Sequence, residues 1–571
     1  MWNYKNRVFE YAILLIIIVL GFVVRYPLVN YNLPVCANVD ERLGVRILNH
    51  FENVDLNPDY FGYPTFYYYF TFFLMKIVDV KDISNILVYG RTINLLFGCI
   101  LAISVFLLTK QIFKSSIPGL IATALTIFSP IIIFDSSYII VNGLLSILTV
   151  FSILFFEKFF EDHNYKYWLS GVIFAGLALS TKYNAFIIAV CYVIIEFVRS
   201  NTTSSNSMMS NSPFRFLDKT FQPAILSIFL FVFGLIALLV FIFFPMGLIN
   251  SIMVTTGGMD AVVEATDIQL VESMRRKLLY LGMAMIIIAF ISYRFKRFFK
   301  RFCFFRPYIA LAITTFIFLL ASPYMLIAWK HFLYNVGAFL KTVTLSSREQ
   351  QWFQHFIFYF KLESLVVLFF FLVGVFRSVQ QKKSIGFLIL YLFFNYISIG
   401  SARVGYPRYL VPILLVIFII SGWGIYSTAI LIRKYQKGIS YVFLISVIAI
   451  VGFELYPKVS SAVSMANQKD EMYQSFEFVN ALHPKKVYYS GFVPSMEMIM
   501  YDINVEEIPK ASLSEINEAF LKKLGPDEIL IVDSRSKKVI NSTLFRKLKL
   551  SWSLDDGYGQ YIFKKESYSN S

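Results

Sequence analysis

Long apolar runs recur through most of this chain, and they constrain its fold more than any other feature. A helix needs about 20 mainly apolar residues to cross the hydrocarbon core of a bilayer. By that measure the sequence holds about thirteen candidate spans. They lie at residues 8–27, 86–109, 117–134, 139–157, 167–181, 184–198, 223–249, 277–293, 307–328, 358–376, 385–400, 409–431 and 438–456. This pattern predicts an all-α polytopic membrane protein.

The composition supports that prediction. Of the 571 residues, 57% are hydrophobic and 15% are charged, whereas soluble domains are about a quarter charged. The formal net charge is +16, but the basic residues form short clusters between apolar runs. Such clusters are typical of cytoplasmic loops and report topology, so we expect no nucleic-acid partner. No small-residue cleavage site follows the first run, so we expect an uncleaved first span.

The loop charges also predict the topology. If the N-terminus is cytoplasmic, every predicted inner loop is basic, as the positive-inside rule requires. This orientation makes 28–85 an extracytoplasmic loop and places everything after residue 456 on the same side. The segment 62–78 is apolar, but Pro64 and its tyrosines favour an interfacial helix. Counting it as a span would move the later basic clusters outside, so we predict that it does not cross.

The tail, 465–571, changes character. Strand-like runs lie at 485–490, 527–533 and 557–563. Between them, Ser512 to Glu515 form a capping box that opens a helix to about Leu524. We therefore predict a transmembrane domain over 1–456 and a small extracytoplasmic α/β domain over 465–571. The tail holds no catalytic motif, which favours a structural cap or an acceptor-docking module.

Neither the cysteines nor the histidines predict a metal site. Cys36, Cys99, Cys191 and Cys303 are scattered without a Cys-x-x-Cys pair, and packing is their expected role. The acidic pair Asp40-Glu41 does not have an Asp-x-Asp spacing. The sequence thus implies no cofactor, and a divalent metal is left open without support.

Asp40-Glu41 are the residues most suggestive of chemistry. The pair lies in the first outer loop, is followed by Arg42, and precedes an aromatic segment, 61–69. A solvated loop pair is the ordinary alternative. Beside a lipid head group, however, one carboxylate could act as general base on an acceptor hydroxyl. Arginines nearby could hold a leaving phosphate through bidentate hydrogen bonds.

Several short motifs occur in a suggestive order. They are Asp40-Glu41, Tyr63-Pro64-Thr65, Gly90-Arg91-Thr92, Leu179-Ser180-Thr181-Lys182-Tyr183 and Tyr406-Pro407-Arg408-Tyr409-Leu410-Val411-Pro412. In this order, and on the predicted outer side, they resemble the GT-C glycosyltransferases. The protein O-mannosyltransferase and aminoarabinose transferase group is nearest in pattern. The resemblance covers about 1–456, and it departs at Tyr63, where family members often carry a histidine or lysine before the proline.

The resemblance implies a GT-C type fold and an activity. A sugar would pass, with inversion, from a polyprenyl- or dolichyl-phosphate donor to an acceptor hydroxyl on the extracytoplasmic face. Asp40 would deprotonate the acceptor, and Glu41 would position the acceptor or support Asp40. The candidates for the donor phosphate are Arg91, Lys182, Arg403 and Arg408. Further substrate-binding candidates are Arg42, Tyr63, Pro64, Tyr67, Asp135 and Tyr409.

Alternatives stay open at this point. Each basic candidate could be an interfacial anchor or a snorkelling cation, and Arg91 could pair with an acid in the loop. The whole chain could be an oligosaccharide polymerase or ligase, or a lipid-linked sugar transporter. The sugar is not identified, and the acceptor could be a protein, a lipid or a polymer. The composition, without targeting signals, favours a multi-pass protein of a prokaryotic plasma membrane.

Overall fold

The computed structural model describes most of the transmembrane part and the strands of the tail. The described residues are 4–36, 38–80, 83–202, 283, 286, 305–345, 352–381, 383–402, 405–464, 471–490, 504–507, 527–533, 550–553 and 560–564. Nearly all of the predicted spans 223–249 and 277–293, and the predicted helix from Ser512, lie outside these residues.

Helices make up most of the described chain. Before residue 203 they are α1 (Tyr4–Arg25), α2 (Val39–Asn53), α3 (Phe66–Ile77), α4 (Ile83–Phe113), α5 (Ser116–Ile127), α6 (Pro130–Asp135), α7 (Asn142–Asp162), α8 (Tyr165–Leu179) and α9 (Phe186–Thr202). From residue 305 they are α10 (Phe305–Ala321), α11 (Tyr324–Ile327), α12 (Trp329–Leu345), α13 (Gln354–Leu362), α14 (Leu365–Gln380), α15 (Gly386–Gly400), α16 (Val411–Tyr435), α17 (Lys437–Ser464) and α18 (Glu471–Ala481).

The apolar helices form a multi-pass membrane domain. Within the described residues, five helices are long and apolar enough to cross a bilayer, and six if one bent pair counts as a single span. The predicted number of about thirteen is not reached among these residues. The expected interfacial helix is α3, whose 12 residues reach about 18 Å, too short for a hydrocarbon core of about 30 Å.

The centre of the bundle is α16. Its most apolar window is 94% buried, whereas those of α1 and α17 are only 22% buried. A helix that is apolar all round belongs in an interior, and α16 packs closely against α14. A side chain at Gly424 would meet the backbone oxygen of Phe370 at 2.0 Å. Glycine therefore permits the close approach of these two helices.

The prediction of one continuous span over 358–376 is wrong. The chain bends by 112° between α13 and α14. At the break, the Ser364 hydroxyl accepts from the backbone N–H of Val367 and begins α14 as an N-cap. The buried Glu363 carboxylate accepts from the Ser129 hydroxyl at 2.6 Å. The hydropathy averaged over a candidate span does not reveal such a break, because two polar residues change the average only slightly.

The tail contains a five-stranded sheet. Its strands are β1 (Lys486–Ser490), β2 (Asn504–Glu507), β3 (Glu528–Asp533), β4 (Leu550–Ser553) and β5 (Gln560–Lys564). Their order is β2-β1-β3-β5-β4, with β1 parallel to β2 and β3, and β5 antiparallel to β3 and β4. The three predicted strands are β1, β3 and β5. The short strands β2 and β4 and the helix α18 were not predicted.

Candidate active site

Asp40 lies in the first turn of α2, and the local sequence explains its position. Asn38 precedes the helix in an extended conformation, and its side-chain oxygen accepts from the backbone N–H of Asp40 at 2.9 Å. Asparagine is a favoured N-cap residue, and acidic side chains are stabilised near a helix N-terminus. The Asp40 carboxylate is 23% exposed, so it can meet both protein groups and a substrate.

Arg408 reaches Asp40 from a distant part of the sequence. It lies in the 3-10 turn Pro407–Leu410 that precedes α16. Its Nη2 is 2.8 Å from Oδ2 of Asp40, and its guanidinium lies 4.2 Å from the centroid of the Tyr406 ring. Both carboxylate and ring face restrict the orientation of the guanidinium.

Lys182 brings a second cation to the same place. Its Nζ donates to Oδ1 of Asn142 at 3.0 Å, and Nδ2 of Asn142 donates to Oδ1 of Asp135 at 2.8 Å. The Tyr63 and Tyr409 ring centroids are 5.7 and 5.3 Å from Nζ. Burial lowers the pKa of Lys182 to about 8 and raises the pKa of Asp135 to about 6, because desolvation disfavours both charged forms.

A small pocket lies among these groups. It is lined by Asp40, Tyr63, Tyr68, Ile140, Val141, Asn142 and Lys182. Burial raises the pKa of Tyr63 well above its ordinary value, which keeps the phenol protonated as a hydrogen-bond donor. The pocket therefore combines an acid, a cation and aromatic faces.

Glu41 and Arg91 meet each other on the inner side of α2. Arg91 donates from Nε and Nη2 to the two carboxylate oxygens of Glu41, both at 2.8 Å. Its Nη1 donates to the backbone oxygens of Val29, at 3.1 Å, and Tyr31. Glu41 also accepts from the backbone N–H of Ile139. Both charged side chains are fully buried, and neither lines the pocket.

The remaining predicted residues fall in different places. Tyr67 is buried in α3, and its hydroxyl accepts from Nδ2 of Asn94 at 2.6 Å. Pro64 is buried beside Tyr63, and Arg42 is half-buried in the first turns of α2. Arg403 lies outside the described residues.

Sequence reasoning missed Asn142 as a site residue. Asparagine begins α7, a mainly apolar helix, and a polar residue at that point was the available signal. Its two amide ends join a carboxylate to a lysine, and only the folded chain brings the three residues together.

Metal ligands do not gather in the part of the chain that the structure describes: no group of three or more histidine, cysteine or acidic residues there could hold an ion. Within that part, Cys36, Cys99 and Cys191 are buried and are not in disulfides, while Cys303 lies outside it.

The chain is similar to known proteins in both sequence and structure. Residues 63–213 match the family model of dolichyl-phosphate-mannose-protein mannosyltransferase, a range that includes Tyr63, Asp135 and Lys182. The structure is similar to archaeal oligosaccharyltransferase AglB from Archaeoglobus fulgidus, with a TM-score of 0.53, 13% identity, and coverage of 93% of this chain and 70% of that one. It is also similar to ArnT from Cupriavidus metallidurans, with a TM-score of 0.52, 9% identity, and coverage of 96% and 97%.

The chain has the GT-C glycosyltransferase fold. The predicted resemblance is thereby confirmed, together with the polytopic fold class and the small C-terminal sheet region. Among curated protein sequences, none matches this GT-C chain. The two solved structures are less than 25% identical to this chain, so the similarity shows the fold alone. The chemistry of this chain depends on the residues of its own pocket.

Proposed function

We propose that this chain is an integral membrane glycosyltransferase. In this proposal a sugar moves from a polyprenyl- or dolichyl-phosphate donor to an acceptor hydroxyl on the extracytoplasmic face. The observation that carries the proposal is that Asp40 and Lys182 line one small pocket and that Arg408 pairs with Asp40. Transfer from a phosphate donor to a hydroxyl requires a base for the acceptor and positive charge for the leaving group.

The reaction follows from the roles of these groups. The Asp40 carboxylate takes the proton of the acceptor hydroxyl, and the acceptor oxygen forms a bond to the anomeric carbon. The bond from that carbon to the donor phosphate oxygen breaks, and its electron pair stays on the phosphate. Attack from the side opposite the phosphate inverts the anomeric centre.

The two cations have roles toward both the base and the leaving group. Arg408 and Lys182 would stabilise the negative charge that develops on the lipid phosphate. Arg408 also pairs with Asp40, which restricts the position of the carboxylate. The Asp135–Asn142 pair orients Lys182. Tyr63 and Tyr409 offer aromatic faces on which a sugar ring can pack.

Glu41 and Arg91 take a different role in this proposal. Every nitrogen of the Arg91 guanidinium already donates to protein oxygens, so nothing in its geometry supports phosphate binding. The buried pair instead holds the start of α2 against α4, and thereby supports the position of Asp40.

Replacement of Asp40 tests the proposal. We expect Asp40→Asn to lower sugar transfer in membranes by about 10²–10⁴-fold, the usual contribution of a general base, while photo-crosslinking to a lipid-phosphate sugar persists. Asp55→Asn makes the same chemical change on an exposed loop aspartate and should retain activity. Normal transfer by Asp40→Asn would show that another group is the base.

The transport alternative has its own readout. Labelled lipid-linked sugar that crosses sealed vesicles without covalent transfer to any acceptor would favour a transporter. Analysis of the glycans lost on deletion of the gene would identify the sugar, hexosyl or pentosyl, and its acceptor.

A further inference from the structure

The loop before Asp40 contacts two separate cores. Val35 is fully buried and belongs to the hydrophobic core of the C-terminal domain. The other members of that core are Phe476, Val479, Val487, Ile529, Ile531 and Ile562. The next residue, Cys36, is 3% exposed and packs in the core of the membrane domain. Adjacent residues thus join the two domains.

Hydrogen bonds hold the same loop at both of its ends. At its start, Arg91 donates to the backbone oxygens of Val29 and Tyr31. At its end, Asn38 caps α2 and accepts from the Asp40 N–H. Val35 is the one residue among the described positions 28–38 that enters the C-terminal core. It lies five residues before Asp40, and five residues span at most about 17 Å.

We propose that the C-terminal domain positions the base Asp40 by holding Val35 in its core. This inference rests on the proposed function for the role of Asp40. Val35 is a positioning residue, because its side chain contacts the sheet domain and not the pocket. Without this contact the turn before Asn38 loses its link to the C-terminal domain, and the position of Asp40 beside Arg408 becomes less restricted.

The C-terminal domain therefore contributes to the geometry of the site. Its core consists of α18, β1, β3 and β5 together with one residue from the far N-terminal end of the chain. Removal of the Val35 side chain would leave a cavity in that core. Protein interiors are close-packed, so the loss of even a small group destabilises them. Stability of the domain and geometry of the site are thus linked through one side chain.

The first test replaces Val35 and measures turnover. We expect Val35→Asp to lower kcat for sugar transfer at least tenfold and to change the donor KM less than threefold, because Lys182 is held by Asn142 and not by this loop. Val35→Ile, which keeps an apolar side chain in the core, should retain most of the wild-type activity. Val105→Ala is the matched control, since Val105 is equally buried in the membrane core and lies about 21 Å along α4 from Arg91.

The second test does not depend on activity. Hydrogen–deuterium exchange of the full chain in detergent should rise at least threefold across residues 31–40 in Val35→Asp. The same rise should occur in Phe476→Ala, which is changed only in the C-terminal domain, and not in Val105→Ala. If exchange does not rise in Phe476→Ala, or if Val35→Asp is as active as Val105→Ala, the inference is wrong.

The two tests separate this inference from the proposed function. A wild-type protein without transferase activity would refute the proposed function, and the exchange measurement would still decide whether the C-terminal domain anchors the loop. Raised exchange with unchanged kcat in Val35→Asp would overturn the positioning role while leaving the assignment of Asp40 intact.

Discussion

At the level of single residues, the two cations of the site, Arg408 and Lys182, differ in one important property. An arginine stays charged at any physiological pH, whereas a lysine can lose its proton when it is buried. Burial lowers the pKa of Lys182 to about 8, so its charge depends on the pH in a useful range. Lys182 is charged below that pKa and neutral above it. Phosphate binding that uses this charge is therefore complete at lower pH and is lost as the pH rises through about 8.

Replacement of Lys182 by arginine should remove this pH dependence. We expect kcat/KM for the donor to fall in the wild type as the pH rises through about 8, because the free enzyme loses the Lys182 charge. In Lys182→Arg this decline should disappear. The measurement is a pH profile of kcat/KM with the two proteins side by side. An unchanged decline in Lys182→Arg would assign it to another group.

At the scale of elements, short helices carry the site and buried polar contacts hold them. The six-residue helix α6 is capped by Ser129, whose hydroxyl donates to Glu363, and ends at Asp135, which accepts from Asn142. The start of α2 is tied to α4 by the Glu41–Arg91 pair. In both cases a buried charge has several hydrogen-bond partners, which offsets the cost of removing it from water.

The Glu41–Arg91 pair should behave as a coupled unit. Removal of one partner leaves the other charge buried, which costs about 3–5 kcal/mol, so Glu41→Gln and Arg91→Gln should each lower thermal stability in detergent. The double variant should cost less than the sum of the two. Additive losses would contradict a direct interaction. Folded Glu41→Gln should also retain far more activity than Asp40→Asn.

At the scale of the whole molecule, the site lies at one end of the helix bundle. Loop charges predict that this end is extracytoplasmic, and α16 connects it to the opposite end, because it begins just after Arg408 and ends at Tyr435. Val54, at the end of α2, and Tyr435 are 69% and 86% exposed. They are therefore suitable positions for mapping the two sides.

Cysteine labelling should place these two positions on opposite sides of the membrane. In a background without native cysteines, Val54→Cys should react with an impermeant maleimide in intact cells. Tyr435→Cys should react only after permeabilisation, because α16 crosses the bilayer once between the ends. Labelling of Tyr435→Cys in intact cells would reverse the predicted topology.

Sequence alone was sufficient for the features that depend on local pattern. Apolar runs predicted the helices of the membrane part, because a bilayer requires a continuous length of apolar residues. Short strand-like runs predicted β1, β3 and β5, and an ordered set of motifs indicated the GT-C fold. These signals are local, so each could be recognised without knowing what lies beside it in space.

Only the tertiary structure decided which polar residues meet. Asp40 and Arg408, or Asp135, Asn142 and Lys182, come from separate elements, and their distances depend on how the helices pack. Glu41 and Arg91 carry charges as suggestive as those of Asp40 and Lys182, yet packing buries them against each other. The anchor at Val35 likewise has no pattern in the sequence. Its role depends on the domain that surrounds it, because burial is a property of the folded chain rather than of a residue type.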